Sequence, residues 1–134
     1  MILHSMEEDM GNIIGTVIII YDTYKNVLVI QRGKKATGEW ALVGKEIKGK
    51  ETPEKCITKA VEKDLDCTVF ELKEIGSYPI SEGNEDEFLV YSGMIKQNIV
   101  THKTINNAAW IGKKDILKYN LEEECKRILE DFFK

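Results

Sequence analysis

Residues 51–67 concentrate acidic and basic side chains in a stretch that is well suited to a helix. The sequence there is ETPEKCITKAVEKDLDC. At about 100° per residue, one helix face presents Cys56, Ala60, Lys63 and Asp64. Carboxylate oxygens bind hard divalent cations, whereas an ammonium group a few ångströms away repels them. Lys63 therefore weakens this face as a site for a divalent cation.

The same stretch carries the signals of a helix over about residues 53–65. Thr52 is a good N-cap because its hydroxyl can accept a free backbone amide at the helix start. Pro53 falls at the first helical position, where its missing N–H costs nothing. Apolar residues recur every fourth position and predict a buried stripe, formed by Ile57, Val61 and Leu65.

The rest of the chain predicts a mixed α/β domain with a helix on each side of the sheet. Residues 12–33 predict a hairpin of two strands, and a loop follows at 34–40. Further strands are expected at 68–80 (extended and bent), 88–96 and 107–112, with a turn at 81–87 and a short helical turn at 113–119. An amphipathic helix is expected at 121–134, with its apolar face formed by Leu121, Cys125, Ile128, Leu129, Phe132 and Phe133.

Length and composition favour a single globular domain over residues 1–134, with residues 1–10 a loose tail. The formal net charge is −4 and only two basic residues are arginine, which argues against a nucleic-acid-binding face. Three widely spaced cysteines without a CxxC pair favour a reducing cytoplasm. The apolar run at 13–21 is too short to span a membrane, so no membrane partner is expected.

Three segments resemble the Nudix hydrolase superfamily, and the resemblance extends over about residues 12–133. VLVIQRGKKATGEWALVGKEI (27–47) is similar to the strand, arginine, loop and Gly-x-Trp that precede the helix of the Nudix box. KETPEKCITKAVEKDLDC (50–67) falls on that helix, and AAWIGKKDIL (108–117) resembles a late strand and turn. The resemblance implies a Nudix-type α/β/α sandwich with a mixed β-sheet.

The chain departs from the family at the positions that carry its chemistry. The first glutamate of the box is kept as Glu51, but the arginine becomes Lys59 and the glutamate after it becomes Ala60. The last two glutamates become Lys63 and Asp64. The resemblance therefore leaves Glu51 and Asp64 as the ligands of a weak Mg²⁺ or Mn²⁺ site, or of none at all.

Electrostatics make this a poor site for a divalent cation. At an effective dielectric near 20, a doubly charged ion about 4 Å from a lysine ammonium meets a repulsion of about 8 kcal/mol before relaxation. Metal-assisted hydrolysis needs the ion to clamp a diphosphate and to activate water. Weak or absent catalysis of the family type is therefore expected.

Three side chains are candidates for contact with a nucleotide, and each has a structural alternative. Arg32 either contacts phosphate, as its place in the pattern implies, or is a surface charge at a strand end. Trp40 either stacks on a base or packs the loop on the core. Lys63 either contacts a ligand phosphate or takes the vacated metal position and pairs with Glu51 and Asp64. Cys56 is expected to be a small buried residue rather than a reactive thiol.

Two functions remain open from the sequence. The first is a Nudix-family protein with a degraded metal site, which binds a nucleotide or nucleoside-diphosphate ligand with weak or no hydrolysis. The second is an active hydrolase of a nucleoside diphosphate linked to another group, with a rearranged Mg²⁺ or Mn²⁺ site around Glu51 and Asp64. The expected partner is a nucleotide-type small molecule, and assembly into a homo-oligomer stays open.

Overall fold

A computed structural model of the chain describes residues 12–32, 38–81, 83–101 and 105–134. The predicted tail at 1–10 and most of the predicted loop at 34–40 lie outside these residues. The described residues form seven strands: β1 (Ile13–Ile20), β2 (Val27–Arg32), β3 (Trp40–Ala41), β4 (Val43–Glu46), β5 (Val69–Pro79), β6 (Glu87–Ile95) and β7 (Ile105–Ile111). The helices among these residues are α1 (Pro53–Leu65), a 3₁₀ helix (Lys113–Lys118) and α2 (Glu123–Phe132). Within the described residues, no helix is long and apolar enough to cross a membrane.

The strands form two sheets, one of which is mixed. The four-stranded sheet has the order β4-β1-β6-β5, with β1 parallel to β6 and antiparallel to β4. The three-stranded sheet has the order β3-β2-β7 and is antiparallel. The interior strands are therefore β1 and β6 in the first sheet and β2 in the second.

The predicted hairpin over 12–33 is wrong, although its turn is real. The Asp22 carboxylate accepts backbone hydrogen bonds from Tyr24 and Asn26 at 2.9 and 2.8 Å. Beyond the turn Tyr21 pairs with Val27, and the two strands then join different sheets. Both strands are buried along most of their length, so each needs partners on both of its edges.

Alternating side chains of β1 divide the interior into two apolar cores. Ile18 and Ile20 pack in the core covered by α1, whereas Val17 and Ile19 pack in the core covered by α2. Successive side chains of a strand point to opposite faces, so β1 contributes to both cores. The predicted α/β/α sandwich with a mixed sheet is confirmed.

Helix α1 has the predicted limits, because its start and its buried stripe are encoded locally. The Thr52 hydroxyl accepts the backbone N–H of Lys55 at 3.2 Å, and Pro53 is the first helical residue. The predicted stripe of Ile57, Val61 and Leu65 is fully buried. Asp66 then ends the helix in the left-handed conformation, with φ 56°.

Elements further along the chain agree with the predictions to within a few residues. Strand β5 is bent as expected: Glu71 is left-handed, with φ 56°, and two irregularities interrupt the pairing of β5 with β6. Helix α2 begins two residues later than predicted and buries Cys125, Ile128 and Leu129. Short strands β3 and β4 were not predicted.

Candidate functional site

A cavity of about 420 Å³ opens between strands β1 and β4 and the start of α2. Apolar groups line it from both sheets, and charged groups come from four places in the fold. Arg32 ends β2, Lys45 and Glu46 belong to β4, Glu39 precedes β3, and Glu122 and Glu124 lie at the start of α2. The charged lining side chains are Arg32, Glu39, Lys45, Glu46, Glu122 and Glu124.

Arg32 links this cavity to helix α1 through an ion pair. Its guanidinium donates to the Asp64 carboxylate at 2.5 Å. The Asp64 side chain is 11% exposed, and that of Arg32 is 39% exposed. A guanidinium has five N–H donors, so donors remain for a second partner while Asp64 holds the group in place.

Glu51 also has a basic partner from α1. Lys59 donates to its carboxylate at 3.4 Å. Desolvation acts to raise the pKa of Glu51, but hydrogen bonds from Lys59, Cys56 and the backbone of Lys48 outweigh it and lower that pKa. Glu51 is therefore stabilised as an anion by the protein itself.

Lys63 does not take the place of a metal ion between the two carboxylates. Lys59 and Arg32 are the partners of Glu51 and Asp64, and Lys63 is exposed. The predicted pairing is wrong because the buried arc of α1 is centred on positions 56, 57, 60, 61, 64 and 65. Position 63 is about 100° from position 64 and turns towards solvent. A nucleotide-binding role for Lys63 stays a prediction.

Trp40 packs on the protein beside the cavity. Its ring meets that of Tyr119 edge-on with centroids 5.1 Å apart. Its backbone N–H donates to the Asn120 carbonyl at 2.8 Å, and its carbonyl accepts the N–H of Glu122 at 2.9 Å. These bonds attach β3 to the start of α2 and so position Glu122. Stacking of Trp40 on a base also stays a prediction.

The residues at the family's metal positions do not fit a magnesium ion. Mg²⁺ requires oxygen ligands in an octahedral arrangement, usually carboxylates with water and phosphate. Asp64 and Glu51 already accept hydrogen bonds from Arg32 and Lys59. Ala60 is buried in the apolar core and offers no oxygen. A divalent ion would have to displace two ion pairs to gain two ligands.

A second acidic group, at the start of α2, was missed by the sequence analysis. Possible ligand atoms of Glu122, Glu124 and Cys125 lie within 4.8 Å of one another. The Cys125 thiol contacts the Glu122 carboxylate at 3.9 Å, and burial raises the pKa of Cys125 to about 12. The thiol is therefore protonated at neutral pH. The run of three glutamates before Cys125 was the available signal, but it resembles the acidic first turn of an ordinary helix.

Glu122 is held in an environment that disfavours its charge. Desolvation, followed by repulsion from Glu124 and Glu39, raises its pKa, and Arg32 offsets only part of this rise. A carboxyl group whose pKa is higher in the folded state costs stability as the pH rises above its unfolded pKa. Carboxyl groups with a raised pKa at the wall of a cavity are candidates for a functional site.

Replacing Glu122 with Gln should therefore stabilise the chain at neutral pH. We expect the free energy of unfolding to rise by about 0.5 kcal/mol at pH 7.5 and to change little at pH 4, where the carboxyl is largely protonated in both states. Urea unfolding at both pH values measures the difference. Glu123→Gln is the matched control, because Glu123 is exposed and does not line the cavity; its loss should slightly destabilise the helix start. Equal changes in the free energy of unfolding for Glu122→Gln and Glu123→Gln would show that the environment of Glu122 does not disfavour its charge.

Known structures with the same fold are Nudix proteins. MutT, from a study of the Aliivibrio salmonicida and Vibrio cholerae proteins, has a TM-score of 0.76 at 15% identity, over 90% of this chain and 96% of that one. A Nudix hydrolase of Nitrosomonas europaea has a TM-score of 0.70 at 13% identity, over 88% and 86%. The Nudix domain of Shewanella oneidensis NrtR, solved with ADP-ribose, has a TM-score of 0.69 at 14% identity, over 90% and 86%. No protein-family model and no curated protein matches the sequence. The chain thus has the Nudix fold.

Proposed function

We propose that this chain uses the Nudix fold to bind a nucleotide or nucleoside-diphosphate ligand, with weak or no hydrolysis. The observation that carries the proposal is the state of the two acidic residues at the family's metal positions. Asp64 is paired with Arg32 at 2.5 Å, and Glu51 is paired with Lys59 at 3.4 Å. A working metal site needs these two carboxylates free, but basic side chains of the protein already neutralise them.

Arg32 is the side chain best placed to contact a phosphate group. It lines the cavity, and its position is fixed by the buried carboxylate of Asp64. Guanidinium groups bind phosphate through paired N–H donors in a fixed plane. Asp64 thus acts as a positioning residue for Arg32 instead of a metal ligand.

A nucleotide-type ligand is supported by the fold and by the size of the cavity. The Nudix domain of NrtR, which has the same fold, was crystallised with ADP-ribose. A cavity of about 420 Å³ is within the range of sites that enclose small molecules. Both points favour a ligand built from a nucleoside and a diphosphate.

The alternative is an active hydrolase with a rearranged metal site, and one observation favours it. Glu122 and Glu124 approach each other at the cavity, and Glu39 and Glu46 line the same space. These four carboxylates are oxygen donors of the type that Mg²⁺ and Mn²⁺ prefer. The sequence places the metal of this alternative at Glu51 and Asp64, whereas these four carboxylates would move it to the start of α2.

A turnover assay separates the two functions. The chain is incubated with ADP-ribose, dinucleotides and nucleoside triphosphates in the presence of Mg²⁺ or Mn²⁺, and phosphate-containing products are measured. We expect little or no turnover, together with a rise in melting temperature on addition of nucleotide in EDTA. Metal-dependent turnover that is abolished by Asp64→Ala would overturn the proposal. Turnover abolished by Glu122→Gln and Glu124→Gln, but retained in Asp64→Ala, would establish the alternative.

A further inference from the structure

Strand β7 has an outer edge that no other strand covers among the described residues. It is the last strand of the β3-β2-β7 sheet, and its inner edge pairs with β2 without interruption from Asn107 to Ile111. Its seven residues, INNAAWI, include no charged side chain, glycine or proline, and four of them are exposed. The unpaired N–H and C=O groups of such a strand can hydrogen-bond another extended chain.

The other sheet edges in the described part of the chain are covered, short or interrupted. Strand β3 has two residues, and Trp40 forms a bridge with Leu121. Strand β4 has four residues, which include Lys45 and Glu46. Strand β5 carries charged side chains and departs twice from regular pairing with β6, once beside the left-handed Glu71. Charges and irregularities of this kind prevent the addition of a further strand, so β7 is the edge that a partner can use.

A cavity of about 310 Å³ lies beside this edge, and Trp110 of β7 forms part of its wall. The ends of β1 and β6 supply the rest: Tyr21, Asp22 and Thr23 follow β1, and residues 94–99 include the end of β6 and the segment after it. The Trp110 side chain is large and apolar, yet 39% of the residue is exposed. An exposed indole ring at a cavity is a contact surface for an apolar side chain of a partner.

The charges around this cavity favour an acidic partner. The Lys96 ammonium lies 5.5 Å from the centroid of the Phe70 ring and pairs with no carboxylate among the described residues. Lys113 and Lys114 come shortly after β7 and are exposed. The carboxylate of Asp22 already accepts hydrogen bonds within its own turn. The formal net charge of the chain is −4, so this basic surface is local.

From the edge, the cavity and the lysines together, we infer that β7 binds an extended acidic segment of a partner protein as an additional strand. Main-chain hydrogen bonds to β7 hold the segment, and one of its apolar side chains enters the cavity beside Trp110. Its acidic side chains contact Lys96 and Lys113. No residue lines both this cavity and the cavity of the candidate nucleotide site, so the inference is independent of the proposed function.

Three short peptides that differ in one property at a time provide the test. The first is DVEFEVD, blocked at both ends and labelled with fluorescein, and its binding to the full chain is measured by fluorescence anisotropy. KVKFKVK reverses the charge. The third peptide is DVEFEVD with methylated backbone nitrogens at two adjacent central residues, so that neither of its edges can pair regularly. We expect the first peptide to bind about tenfold more tightly than either of the others.

Each other result of this comparison overturns part or all of the inference. Equal binding of DVEFEVD and KVKFKVK would overturn the acidic class of partner. Equal binding of the methylated peptide would overturn strand addition. If DVEFEVD does not bind with a dissociation constant below about 1 mM, the whole inference is overturned.

Variants then locate the contact on β7. Ala108→Glu places a negative charge at an exposed position in the middle of the edge and should abolish binding of DVEFEVD. Trp110→Ala should weaken binding about tenfold. Ile75→Ala is the matched control, because it removes an exposed apolar side chain from the interrupted edge strand β5 and should leave binding unchanged. Unchanged binding in a folded Ala108→Glu variant would contradict the assignment. If Trp110→Ala does not fold, Ala108→Glu and the three peptides still decide the question.

A second copy of this chain is the competing occupant of the edge, and two measurements exclude or establish it. Sedimentation of the unaltered chain over a wide range of concentrations should show a monomer. Self-association that Ala108→Glu abolishes would overturn the inference in favour of a dimer. Hydrogen exchange of backbone amides should become slower within residues 106–110 when DVEFEVD is added, because strand addition pairs them. Slower exchange confined to other elements would contradict binding at β7.

Discussion

Replacing Arg32 with Met is expected to lower the free energy of unfolding by about 2 kcal/mol, because it leaves the Asp64 carboxylate without its partner. Removing one member of a buried ion pair typically costs about 3–5 kcal/mol. The Arg32 side chain is 39% exposed, so water can reach the site and reduce the loss. Urea unfolding of the two proteins at pH 7 measures it. The same variant should also lose most of its nucleotide binding.

Two further variants show whether the loss belongs to the ion pair. In Arg32→Met with Asp64→Asn the buried charge is gone, so part of the stability should return. Lys59→Met removes the basic partner of Glu51 but should cost less, because the Lys59 side chain is 64% exposed. Similar losses of unfolding free energy for Arg32→Met and Lys59→Met would contradict a special role of Arg32 in stabilising the buried Asp64 carboxylate.

Replacing Ala60 with Glu restores the family's residue in sequence but should destabilise the fold by about 3 kcal/mol or more. Ala60 is 2% exposed and packs in the apolar core between α1 and the four-stranded sheet. Burial of a carboxylate without a partner is among the largest single-residue costs known. Thermal and urea unfolding would measure the loss, and the variant should gain no metal-dependent hydrolysis.

Two controls separate charge from volume in this experiment. Ala60→Met adds a side chain of similar length without charge, so its smaller loss reports overpacking alone. Lys63→Glu adds a carboxylate at an exposed position of the same helix and should change stability by no more than about 0.5 kcal/mol. The prediction is contradicted if Ala60→Glu is as stable as the unaltered chain and gains Mg²⁺-dependent turnover. That result would show that the site can still hold the metal ion.

Local sequence signals were enough to predict helix α1, whereas the pairing of the strands could not be predicted from them. The Thr52 cap, Pro53 and the every-fourth-residue stripe are all close in sequence, and each has the predicted role. The partners of β1 and β2 depend on distant segments, so the turn at Asp22 was consistent with a hairpin that does not form. Local chemistry set the turn, and burial of both strands decided the pairing.

The candidate site shows the same division. Burial of Asp64 and Ala60 follows from the helix periodicity, but the partner of Asp64 comes from the end of β2. Glu122 reaches the cavity because β3 pairs with the segment before α2. This pairing joins segments far apart in the sequence, so no local pattern predicts it. Lys63 was misplaced because a helical angle alone does not show where the buried arc ends.

Titration of Mn²⁺ into the ligand-free chain, followed by calorimetry or by the electron paramagnetic resonance signal of free Mn²⁺, tests whether Asp64 and Glu51 are available to a metal ion. Arg32 is paired with Asp64 and Lys59 with Glu51. We therefore expect no saturable Mn²⁺ binding at α1 with a dissociation constant below about 1 mM. Asp64→Asn and Glu51→Gln should then leave the titration unchanged. Binding in the micromolar range that either substitution abolishes would contradict the account.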